Sequence, residues 1–125
     1  MTSIQQKQLL SVIEVGGYLN FTPLYEKHGY QVTTHTTMRK VLKYLKKNVP
    51  DVIVAEFNFQ SDFRDRTSSL ESMMSLVQRM PDTKVIVFYD KEFVLQLARL
   101  EERFKFEKTL AFPIDEKILE QVIVS

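Results

Sequence analysis

Apolar positions along this chain follow two spacings, and the two alternate. Short runs with little interruption occur at Leu9-Leu10-Ser11-Val12-Ile13, Val52-Ile53-Val54-Ala55 and Val85-Ile86-Val87-Phe88. Continuous runs of this length predict strands covered on both faces. Tyr30-Gln31-Val32-Thr33-Thr34 is β-prone but more polar, which predicts an edge strand. Thr109-Leu110-Ala111-Phe112 is a fifth, shorter candidate.

Between the runs the spacing becomes helical. Residues 24–28 form a short helical pattern, with Gly29 in the position that closes a helix. Met38, Val41, Leu42, Leu45 and Val49 mark one helix face, with Thr37 as its cap and Pro50 as its stop. Leu70, Met73, Met74 and Val77 repeat the stripe; Ser68 and Glu71 suggest a capping box, and Pro81 ends the run. Phe93, Leu97, Leu100 and Phe104 follow, with Asp90 as cap. Ile118, Leu119 and Val122 give a last helix after Asp115.

The predicted order is β-α-β-α-β-α-β-α-β-α. Alternation of this kind builds a parallel sheet with helices on both faces, and right-handed crossovers leave few topologies. Five strands point to the flavodoxin-like three-layer α/β/α fold with order 2-1-3-4-5, as a single domain over residues 1–125. Ligands in such sheets sit beyond the carboxyl ends of the strands. The rim is then built from residues 14–18, 56–63, 89–91 and 112–113.

Composition narrows the chemistry. With 17 Lys plus Arg against 16 Asp plus Glu, the formal net charge is +1. Bulk charge therefore recruits neither nucleic acid nor a membrane. Cys 0 excludes disulfides, thiolate zinc and a Cys nucleophile, and fits a cytoplasmic setting. No apolar run approaches a membrane span, and the polar residues 1–8 do not read as a secretory signal. If 125 residues are the whole product, they hold a fold and no output module.

Four stretches resemble the receiver domain of bacterial response regulators, the phosphorelay module of two-component signalling. Pro50-Asp51-Val52-Ile53-Val54-Ala55-Glu56 is similar to the family's third strand, and Pro81 to Tyr89 to its fourth. Phe112-Pro113-Ile114-Asp115 resembles the Lys-Pro-apolar-Asp stretch ending its fifth strand, and His28-Gly29-Tyr30-Gln31-Val32 the approach to its second. The resemblance implies a phospho-accepting Asp at the end of the third strand, where Glu56 stands. It implies a pair of acids after the first strand, where Glu14 is the only acid. The family's switch Ser or Thr is Tyr89 here, and its Lys is Phe112, followed by Pro113. Phosphoryl transfer to a carboxylate needs a bridging metal and charge stabilisation, and Phe112 cannot pair with a phosphoryl group. Glu56 as a mimic of the phosphorylated state would need a Lys or hydroxyl to read it, and neither occupies the matching position.

Other chemistry is weighed from the residues themselves. Glu14, Glu56 and Asp90 are the carboxylates available to a divalent cation; the expectation is separated, solvated carboxylates and no metal. Gly16-Gly17 lacks a phosphate-binding pattern and reads as a turn, with Asn20, Thr22 and Pro23 starting a helix. His28 and His35 have no Cys or HExxH company, so zinc is not expected; His28 suits a helix C-terminus and His35 a loop. No GxSxG motif or acid–base pair marks an enzyme.

Three surface features remain. Arg39, Lys40, Lys43, Lys46 and Lys47 form a basic cluster; Arg39, Lys43 and Lys47 lie opposite Val41 and Leu45. That pattern is a solvated helix face or a surface for an anionic partner, with nucleic acid not expected. Phe57, Phe59 and Phe63, with Tyr89 and Phe112, plug the rim if they converge, or mark a partner surface if exposed. Residues 60–67 read as a polar loop. Val94, Leu95 and Ala98 widen the apolar coverage of the fourth helix beside Phe93. That helix is either deeply buried or, as the resemblance implies, part of a dimer or output surface with the fifth strand and fifth helix. The reading is a non-phosphorylatable receiver-like domain that binds a protein partner and needs no cofactor. The alternative is a flavodoxin-like domain holding a small molecule or divalent cation at the strand ends.

Overall fold

The computed structural model describes residues 7–13, 20–57 and 69–124. Five strands, β1 (Lys7–Val12), β2 (Tyr30–His35), β3 (Val52–Glu56), β4 (Lys84–Tyr89) and β5 (Lys108–Ala111), form one sheet. All neighbouring pairs are parallel, in the order β2-β1-β3-β4-β5. The helices between and after them are α1 (Thr22–Lys27), α2 (Met38–Leu45), α3 (Ser69–Val77), α4 (Val94–Glu101) and α5 (Glu116–Val124). A 3₁₀ turn at Lys91–Phe93 leads into α4. The fold class and strand order expected from the sequence are those observed.

Strand periodicity sorts the core into two layers. Leu10, Val12, Ile53, Ala55, Val85 and Val87 point to one face, where Val41, Leu45, Met73, Val77, Leu97 and Leu100 of α2, α3 and α4 cover them. Their neighbours Leu9, Val52, Val54, Ile86, Phe88 and Leu110 point to the other, against Leu24 and Tyr25 of α1 and Leu119 and Ile123 of α5. Every residue of β3 is buried, as a central strand between two helical layers requires. In β2 only Tyr30 is buried and the remaining residues are half-buried or exposed, as on an edge strand.

Local chemistry sets the boundaries. Thr37 accepts a hydrogen bond from the Lys40 amide at the start of α2, and Asp115 accepts from the amides of Lys117 and Ile118 at α5. Gly29, at φ +87°, takes the left-handed turn between α1 and β2. At the foot of the sheet, Asp51 accepts from the Gln8 amide through its carboxylate at 2.7 Å and from the Lys84 amide through its carbonyl at 3.0 Å. One residue thereby ties β1 and β4 across β3.

Two helix faces differ from expectation. α2 ends at Leu45, so Val49 lies beyond it and is 67% exposed instead of joining the stripe. Ile118 is 40% exposed, and Ile123 takes the core position beside Leu119. Phe104 is buried as expected, but beyond the end of α4. The suggested box partner Ser68 lies outside the described residues; Glu71 is the ion-pair partner of Arg103.

Candidate functional site at the strand ends

Glu56 is the last residue of β3, and strand alternation turns it to the α1/α5 face with Val52 and Val54. It is 3% exposed. Its surroundings come from three elements. Ser11, Val12 and Ile13 come from the end of β1, Asn20, Phe21 and Tyr25 from the start of α1, and Phe88 from β4. Together they line a cavity of about 20 Å³, room for a single water. Phe88 lies opposite Glu56 in the ladder, and its ring meets Phe21 edge-to-face, centroids 5.9 Å apart. Asn20 fixes the turn by accepting from the Thr22 amide at 3.0 Å, and Pro23 follows in the first turn of α1. Burial pushes the Tyr25 phenol well above its usual pKa, so it stays protonated.

This arrangement corrects two expectations. Glu56 is enclosed, not solvated. The three described aromatics of the five do not converge: Phe57 is buried in the α2–α4 layer, Tyr89 is half-buried against that same layer, and Phe112 is 46% exposed. Phe59 and Phe63 lie outside the described residues, as do Glu14, Gly16, Gly17 and residues 60–67. The aromatic pair beside Glu56 is Phe21 with Phe88. The ladder position of Phe88 was available from strand alternation, whereas Phe21 sits in an irregular segment with no periodicity to mark it. The Phe112–Pro113 peptide is cis, and the Phe112 amide donates to the Tyr89 carbonyl at 2.8 Å.

Asp90 is exposed and caps the 3₁₀ turn, accepting from the Glu92 amide at 2.9 Å. Among the described residues, no group of three or more His, Asp or Glu side chains is placed to hold a metal ion.

The histidines have structural partners. His28 Nε2 lies 2.8 Å from Glu120 Oε2, and Lys27 Nζ lies 3.7 Å from the same oxygen, so α1 is linked to α5. The hydrogen bond with His28 holds the Glu120 carboxyl below its usual pKa; partial burial opposes this, and the charges of Lys27 and His28 add to the lowering. His35 ends β2, with its ring 5.7 Å from that of Tyr44.

Two surfaces are open. Val94, Leu95 and Ala98 are exposed, with Leu95 at 75%, while Phe93 is half-buried on the core. The breadth of the α4 stripe thus reflects an exposed apolar face and not deeper burial. Arg39, Lys40, Lys43, Lys46 and Lys47 are all exposed.

This geometry has close counterparts among solved structures. A signal receiver domain of an HD domain-containing protein from Pseudomonas fluorescens Pf-5 superposes with a TM-score of 0.74 at 14% identity, over 96% of this chain and 93% of that one. A response regulator receiver domain from Clostridium thermocellum gives 0.73 at 16% identity, over 94% and 91%. A CheY-like receiver domain from Methanospirillum hungatei JF-1 gives 0.72 at 16% identity, over 96% of each. The fold is the receiver fold. No protein-family model and no curated protein matches the chain. On the receiver fold, the end of β3 is the position where the sequence resemblance places the phospho-accepting Asp, and here it holds the enclosed Glu56. No helix among the described residues is long and apolar enough to cross a membrane.

Proposed function

We propose that this chain is a receiver-like signalling module that takes up no phosphoryl group at β3 and acts by protein contact. The observation carrying the proposal is the enclosure of Glu56, 3% exposed beside a cavity of about 20 Å³. A phosphodonor and a hydrated Mg²⁺ need open space at that carboxylate. The same cavity disfavours a small molecule or cation at this end of the sheet. The contact surface we assign is the α4–β5–α5 side, as homodimer or hetero-contact. Support comes from the exposed apolar side chains Val94, Leu95, Phe112 and Ile118 on elements otherwise well packed. Nothing in this reading requires catalysis, and a chain without cysteine suits the cytoplasm where such signalling operates.

Incubation with acetyl phosphate and Mg²⁺, followed by intact mass measurement, tests the first half of the proposal. The expected spectrum contains only the unmodified mass. A stable phosphoryl adduct on Glu56 overturns the proposal.

A further inference from the structure

We propose that the outer face of α2 is a docking surface for an acidic protein segment. The inference rests on the protein-contact reading above but uses a different face of the molecule.

Residues 36–50 contain five cations and no Asp or Glu. Since the formal net charge is +1, the remainder of the chain carries −4. The near-neutral total therefore conceals a strongly cationic helix on an acidic body. α1, α3, α4 and α5 each mix in at least one acid: Glu26, Glu71, Glu101, and Glu116 with Glu120. α2 has none.

Lys43 in the last turn and Lys46 at the C-cap suit the negative end of the helix dipole, but the rest of the pattern works against the helix. Arg39 and Lys43 are like charges four residues apart within the helix, which weakens it, and Lys47 adds a further cation in the turn just past Leu45. Arg39 and Lys40 also stand in the first turn, at the positive end of the helix dipole, where an acid would be favourable. The ion pairs seen among the described residues, Lys27 and His28 with Glu120 and Arg103 with Glu71, lie elsewhere. Val41 and Leu45 already anchor the inner face, so the cations are not needed for packing. An external anion is what would make the arrangement favourable.

The chemistry of that anion follows from what surrounds the stripe. Arg39 and Lys43 stand about 6 Å apart along the helix and Lys47 follows in the turn past Leu45, a stretch that one acidic helix or loop can cover. A duplex or bilayer is larger than α2 and would also face the acidic remainder of the chain. The nearest aromatic, Tyr44, is half-buried against the core, so no base-stacking platform accompanies the cations. The exposed Val49, just past the cluster, offers the apolar contact that a protein partner can use.

The full chain is titrated into a fluorescein-labelled octaglutamate peptide, a mixed-sequence DNA duplex, and phosphatidylserine–phosphatidylcholine vesicles. Peptide binding is expected, weakening about tenfold as salt rises from about 50 to about 300 mM. The variant R39Q/K43Q/K47Q is expected to lose it about tenfold with an unchanged melting curve. R79Q/K91Q/K117Q, which removes as many exposed cations elsewhere, should retain it. Absence of peptide binding, equal loss in the two variants, or tighter binding of duplex or vesicles each overturns the proposal. None of those outcomes alters the phosphoryl-transfer mass result, so the two readings fail separately.

Discussion

Replacing Phe88 by Ala tests which aromatics wall the end of β3. Phe88 is 5% exposed, lies opposite Glu56 in the ladder, and packs edge-to-face on Phe21. Truncating a buried Phe to Ala costs about 3–5 kcal/mol, and the ring pair alone about 0.5–1.5 kcal/mol of that. Phe112 is 46% exposed, so Phe112→Ala should cost under about 1 kcal/mol. Phe88→Leu keeps most of the buried area and forfeits the ring contact, and should fall between, near about 1.5 kcal/mol. The assay is urea denaturation followed by far-ultraviolet circular dichroism. With a slope of roughly 1.5 kcal/mol per M, F88A lowers the midpoint by roughly 2–3 M, and F112A by well under 1 M. A small domain is stable by about 5–15 kcal/mol, so F88A should still fold in water. An F112A loss equal to or greater than that of F88A would refute the assignment of Phe21 and Phe88 as the walls of the Glu56 cavity.

Three further predictions address the helices. Glu120→Gln removes a carboxylate whose folded pKa lies below its ordinary value of 4.5, so the wild-type advantage is present above that value and lost as pH falls through the folded pKa. Parallel urea titrations at neutral and acidic pH should therefore diverge only at the higher pH, and a gap that persists in acid counts against the His28–Glu120 link. Tyr30→Phe deletes the 2.6 Å hydrogen bond from the buried phenol to the Ile123 carbonyl, at a cost of about 1–2 kcal/mol by thermal melting, and an unchanged melting temperature contradicts it. Leu95→Asp, on the most exposed apolar residue of α4, should leave stability within about 0.5 kcal/mol while weakening self-association or partner contact in light scattering. An unchanged association state and unchanged partner binding argue against the α4 face.

The fold was legible because its signals were redundant. Val52 to Ala55 and Val85 to Phe88 read as doubly covered strands and are the sheet centre. The polar β2 is the edge, and Gly29 marks a turn that needs positive φ. Errors appear where a pattern runs past its element. Val49 fits the phase of α2, but the helix has already ended, and the α5 stripe turns on Ile123 more than on Ile118. The site was harder to read. A charged residue at a strand end reads as solvated, since nothing in the sequence near Glu56 announces that Phe21, 35 residues earlier, packs beside the same cavity. The α4 face was undecidable from composition alone, because exposed and deeply buried apolar stripes share the same spacing.

The division of the core into two layers bears on how occupancy of the surface would be felt. α4 belongs to one layer through Leu97 and Leu100, and α5 to the other through Leu119 and Ile123, with the sheet between them. A partner that grips α4 alone fastens one skin of the laminate. One that spans α4 and α5 clamps both skins at the β5 edge, so neither layer can peel away without releasing it. Its affinity then adds to the cooperative stability of the whole chain by mass action, and the melting point becomes a gauge of how far around that edge the partner reaches.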